Sequence, residues 1–137
     1  MVKVRLDWQE GMKFHGLDEL GHITVYDSGP EGVVTAGPTP MQVFLQAMAA
    51  CSSMDIVSIL EKRRRKIDRF RVEVEGERVE TYPKIYKTIR VKYIISGAGI
   101  TNKEMKMAVD LSVEKFCSVM GMIDRSKTEI IVSYELV

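Results

Sequence analysis

The chain has 137 residues, 20 basic against 19 acidic for a net charge of +1, with two cysteines and two histidines. A length of this order suits one domain, 1–137, with a real core and room for oligomerisation to add stability. The near balance of charge argues against a polyanion-binding surface over the whole protein, and two cysteines are too few for a secreted disulfide framework.

Met1-Val2-Lys3-Val4-Arg5 alternates polar and apolar residues and carries no apolar signal core, so a cytoplasmic protein is expected. Val2, Val4, Leu6 and Trp8 continue the period of two and predict a half-buried strand. Met12 to Phe14 is its hairpin partner, and His22 to Tyr26 reads as a third strand, giving a short antiparallel meander. Glu31 to Pro38, with two glycines and a proline, is expected to be a mobile connecting loop.

The central element runs from a Thr39 cap and Pro40 at the first helical position to Leu60. Between Val43 and Cys51 only Gln46 interrupts the apolar surface, so burial on several faces is expected. Polar interruptions and the following Lys62-Arg63-Arg64-Arg65-Lys66 favour a core helix over a membrane span. Cys51 lies about 16 Å along this helix, too far for its dipole to activate the thiol.

Phe70, Val72 and Val74 form one face of the next strand, with Gly76 marking a bulge or a change of facing. After a turn at Tyr82-Pro83, Ile85, Ile89, Val91, Tyr93 and Ile95 share a strand face on which Lys87 is the misfit. Thr101-Asn102 caps a second helix with Met105, Ala108, Val109, Leu111 and Ser112 on its buried face, running to about Phe116. Cys117 to Ile123 continues as a turn or two of helix, and Ile130, Val132, Tyr134 and Leu136 close the chain as a strand. The order shows no parallel βαβ alternation, so the class is α+β with mainly antiparallel sheets around a long buried central helix.

His15 and His22 have no ligand partners at helical spacing, so no metal site and no cofactor are expected. On the residues alone, Cys51 and Cys117 are either two inert core thiols or one redox pair. Asp55 shares a helix face with Cys51 and reads as an acceptor for Ser52 or a nearby backbone group, not as a catalytic acid.

Thr39-Pro40-Met41-Gln42-Val43 through Ala49-Ala50-Cys51-Ser52-Ser53-Met54-Asp55, followed by Ala108-Val109-Asp110-Leu111-Ser112 and Glu114-Lys115-Phe116-Cys117-Ser118-Val119, resembles the OsmC/Ohr family of thiol-dependent hydroperoxide reductases. The element order matches over essentially the whole chain. The resemblance implies an intertwined homodimer, Cys51 as peroxidatic thiol, Cys117 as its resolving partner, an organic hydroperoxide substrate and a dithiol reductant. Family members hold the thiolate with an arginine in the N-terminal hairpin region and a glutamate at the start of the long helix. Here residues 9–25 contain Lys13 and no arginine, and Pro40-Met41-Gln42 stands where the acid is looked for, so the chain is similar to a shorter branch without that pair. Lys13 and Gln42 are the candidates to activate the thiol. Met12, Phe14, Met48, Met54, Phe116 and Met120 are the candidates to line an apolar substrate pocket.

Two other readings stand beside this one. A non-catalytic relative would keep the pocket and bind a ligand, as the missing Arg and Glu suggest. A nucleic-acid or acidic-partner module would use the basic cluster from Lys62 to Lys66, although cations at a helix C-terminus ordinarily complement its dipole and no aromatic platform accompanies them.

Overall fold

In the computed structural model, which describes residues 1–137, the alternating start of the chain forms β1 (Arg5–Glu10), β2 (Lys13–Leu17) and β3 (Ile23–Tyr26), paired antiparallel in that order. Gly11, at φ 52°, makes the first hairpin with Met12, and Trp8 Nε1 donates to the Gly11 carbonyl at 2.9 Å. Trp8, Phe14 and Tyr26 lie opposite one another across the three strands. The expectation of a half-buried first strand is corrected: Leu6 is 56% and Trp8 63% exposed, because the three short strands of this sheet bury little of their own apolar row. The connecting loop is tied down by Asp27, whose carboxylate accepts from Ser28 N and Ala36 N and whose own N–H reaches the Pro38 carbonyl. These elements belong to the first of two compact units, Met1–Phe44 and Leu45–Val137.

Helix α1 (Pro40–Lys62) begins with a reciprocal cap. Gln42 N donates to Thr39 Oγ1 at 3.3 Å and Thr39 N to Gln42 Oε1 at 2.9 Å, so each residue satisfies an orphan donor of the other. By length and apolarity α1 is able to cross a membrane, but its buried residues form the stripe of a core helix. Met48, Ser52, Ile56 and Leu60, spaced every four residues, are fully buried. Burial on several faces is not what one chain provides, and Met54 remains 71% exposed. A chain of this size has too few other elements to cover a helix of 23 residues all round.

The second sheet has the order β4 (Arg69–Arg78), β5 (Tyr86–Ser96), β6 (Glu129–Leu136). β5 contributes its inner row, Ile89, Val91, Tyr93 and Ile95, to the core. Lys87 is the extra residue of a bulge: Glu77 pairs with Thr88 and Arg78 with Tyr86, which returns Tyr86 to the buried face. Gly76 lies inside β4 and not at that bulge; its missing side chain leaves the space that the Tyr86 ring occupies. β5 and β6 pair in parallel, and helix α2 (Asn102–Leu111) lies in the crossover between them. The expected absence of a parallel βαβ unit is therefore corrected. Alternation in β6 reveals its buried face but carries no information on strand direction.

At the N-terminus of α2, Thr101 and Glu104 form a second capping box. The Glu104 side chain, 6% exposed, also receives Arg63 Nε at 3.0 Å and Arg65 Nε at 2.9 Å. Two arginines of the basic cluster thus bind the end of α1 to the start of α2. Their guanidinium groups, with the Thr101 donors, hold the Glu104 carboxyl down at about 2.

Candidate active site

Cys51 stands near the middle of α1, partly exposed, beside the fully buried Ser52. Ser52 Oγ donates back to the carbonyls of Met48 and Ala49, at 3.0 and 3.1 Å. It accepts the Tyr93 hydroxyl at 2.7 Å, which joins β5 to the helix. Burial pushes the Tyr93 phenol up to about 12, opposed by the Ser52 hydrogen bond and reinforced by the nearby Cys117, Asp55 and Cys51, so it serves as a neutral donor.

The second cysteine reaches this place through an irregular helix. After α2 the backbone widens into a π-turn, Ser112–Phe116, closed by Cys117 N donating to the Ser112 carbonyl at 2.8 Å. The added residue releases Cys117 from helical conformation to become the N-cap of the short helix α3 (Ser118–Gly121). Its sulfur accepts Met120 N at 3.4 Å and lies 4.0 Å from the Met48 carbonyl oxygen. There Cys51 is near enough to influence its ionisation. Burial pushes the Cys117 thiol up to about 11; the Met120 amide works against this and Cys51 adds to it.

Ser112 closes the network, with its Oγ 2.9 Å from the Ser52 carbonyl and 3.0 Å from Asp55 Oδ2. Asp55 is thus an acceptor for Ser112 and not for Ser52. A cleft of about 380 Å³ opens beside Cys117, with Val113, Lys115, Met120, Ile123 and Arg125 in its walls; Cys51 does not line it. The fold thus brings a partly exposed cysteine on α1 and a buried one at the start of α3, 66 positions apart in the chain, into one neighbourhood.

Residues 29–133 match the family model described as OsmC-like protein. The chain belongs to the OsmC-like family. It is 36% identical over 136 residues to protein YhfA of Escherichia coli strain K12, covering 99% of this chain and 98% of that protein. A hypothetical protein of Aquifex aeolicus superposes with a TM-score of 0.88 at 28% identity, covering 100% of this chain and 96% of that one. An organic hydroperoxide resistance protein, OsmC, of Legionella pneumophila shares the fold with a TM-score of 0.69 at 19% identity, over 98% and 96% of the two chains.

In this OsmC-like chain Met48 and Met120 are buried next to the cysteine pair, each contributing a backbone atom to Cys117. Phe116 is 48% exposed beneath the Lys115 ammonium, 5.4 Å from its ring centre. Met54 lies on an outer apolar trough of about 480 Å³ with Ala50, Val57, Phe70 and Val72. Met12, Lys13 and Phe14 belong to the first compact unit, where the Lys13 charge helps to lower the Asp27 carboxyl. Gln42 spends its carboxamide oxygen on the helix cap.

Ser52, Tyr93 and Ser112 did not emerge as site residues from sequence reasoning. One signal was available: a tyrosine on the buried face of a strand needs a partner for its hydroxyl, and serines on buried helix faces are the natural partners.

Proposed function

We propose that this OsmC-like protein reduces organic hydroperoxides, with Cys51 attacking and Cys117 resolving, as a homodimer recharged by a dithiol. The observation that carries this reading is the convergence of Cys51 and Cys117 beside one buried hydroxyl network. Support for the chemistry also comes from the hydroperoxide resistance named for the Legionella relative. Met48 and Met120 beside the pair favour an organic substrate over a strongly polar one.

In the first step the Cys51 thiolate attacks the hydroperoxide. An S–O bond forms, the O–O bond breaks, and the alkoxide takes a proton and leaves as the alcohol. In the second, the Cys117 thiolate attacks the Cys51 sulfur, forming the disulfide and releasing hydroxide, which takes a proton to become water. A dithiol then supplies two electrons to reopen the disulfide. Homodimerisation is supported by the apolar side chains left open on one chain, Leu6, Trp8 and Ile23 on the first sheet and Met54 on α1. Nucleic acid is outside this reading, because Arg63 and Arg65 of the basic cluster are engaged by Glu104.

The test treats wild type, Cys51→Ser and Cys117→Ser with cumene hydroperoxide in the presence of dithiothreitol. Cys51→Ser loses turnover, whereas Cys117→Ser, without reductant, consumes a single equivalent and holds a sulfenic acid on Cys51. Equal consumption by wild type and Cys51→Ser removes the proposed nucleophile. An unreactive wild type leaves the ligand-binding alternative.

A further inference from the structure

We infer that the dithiol enters the cleft beside Cys117 and attacks the Cys117 sulfur, expelling Cys51, an inference that rests on reading the two cysteines as a redox pair. A thiolate attacks a disulfide in line with the S–S bond, so the attacked sulfur must be open on the side away from its partner. Cys117, though only 5% exposed, lines the cleft of about 380 Å³, which Cys51, the more exposed of the two residues, does not. That volume falls within the range of small-molecule sites. Lys115 and Arg125 set two cations against one carboxylate, Glu114, around the cleft, which favours the thiolate of an incoming thiol.

The leaving group points the same way. Burial holds the Cys117 thiol up at about 11, which makes it a poor group to expel. Attack at Cys117 lets Cys51 depart in the intermolecular step and leaves expulsion of Cys117 to the intramolecular one, where the high effective concentration of the dithiol's second thiolate offsets the poor leaving group. The bonds balance: the dithiol sulfur joins Cys117 as the Cys51–Cys117 bond breaks, and Cys51 leaves as the thiolate that the next hydroperoxide requires. The second thiolate of the dithiol then attacks its own sulfur in the mixed disulfide, closing a ring and releasing Cys117, which takes up a proton. Two electrons pass from the dithiol to the protein.

To separate this step from hydroperoxide chemistry, the disulfide is formed with diamide and verified by loss of both free thiols. A brief pulse of 2-mercaptoethanol is quenched with iodoacetamide and the peptides are mapped by mass spectrometry. The expected product carries mercaptoethanol on Cys117 and the alkyl group on Cys51, in about tenfold or greater excess over the reverse. The reverse labelling overturns the inference and leaves the peroxidase reading intact. Failure of diamide to close the disulfide overturns both. Gly121 lies in the cleft wall and a side chain there meets no atom within 4 Å, so Gly121→Phe narrows the cleft without disturbing the core. Reduction of its disulfide by dithiothreitol slows by about tenfold or more, since access governs the exchange rate. Reduction at the wild-type rate rules out this route.

Discussion

Cys51 on α1 and Cys117 at the N-cap of α3 lie near enough for Cys51 to raise the Cys117 thiol, although the β4–β5 hairpin and α2 separate them along the chain. This approach depends on the π-turn. Continued α-helix from Leu111 would keep Cys117 N bonded four residues back, whereas here it bonds five residues back to Ser112. Ser112 in turn contacts the Ser52 carbonyl and the Asp55 carboxylate, so the same residue that closes the π-turn also fixes it against α1.

The rate of disulfide closure follows the ionisation of Cys117. Its thiol is pushed up to about 11, so only a small thiolate fraction is present near neutrality, and that fraction rises with pH. After stoichiometric cumene hydroperoxide, closure accelerates by about tenfold per pH unit between roughly pH 7 and 9. Rapid quench and mass analysis follow it. A flat profile is inconsistent with Cys117 as the resolving thiol.

Tyr93→Phe removes one hydroxyl and retains the ring, which meets Phe70 edge-on at 6.4 Å between centroids. Ser52 loses a donor but still donates to the helix carbonyls, so no buried donor is orphaned. The cost is about 1 kcal/mol, read from urea midpoints. Combined with Ser52→Ala, the loss is less than additive, and strict additivity refutes the coupling between these side chains.

Glu104→Gln loosens the junction between α1 and α2, lowering the urea midpoint at pH 7. Because the folded carboxyl is held at about 2, below its ordinary value of 4.5, its stabilisation is present above about pH 4.5 and is lost as pH falls toward 2. Wild type therefore loses more stability over that window than Glu104→Gln. Parallel pH profiles of the two proteins contradict the assigned ion pairs.

Light scattering at micromolar concentration gives twice the 15.6 kDa chain mass. Leu6→Asp, on the exposed apolar row of β1, shifts the protein toward monomer because it places a charge where a second copy would bury the row. A wild type that is monodisperse as a monomer excludes the homodimer.

Much of the local structure was legible in the residues themselves. Thr39-Pro40 announced the start of α1, Thr101 capped α2, and Lys87 broke the alternation of β5 at the position where the bulge occurs. The pairing of Thr39 with Gln42 was equally local, since the T-x-x-Q spacing of a capping box stands in the sequence. Caps, periods and bulges depend on residues within one or two turns of each other, so their chemistry is written in adjacent positions. Cys51 and Cys117 were recognisable through two family-like segments, but the turn that brings them near each other was not, nor were the roles of Ser52, Tyr93 and Ser112. Nor did the pattern reveal that β6 runs parallel to β5, or that Arg63 and Arg65 converge on Glu104. These relations join residues far apart in the chain, and they exist only once the core has packed: burial leaves hydroxyls and charges no solvent to bond with, and so forces them onto one another.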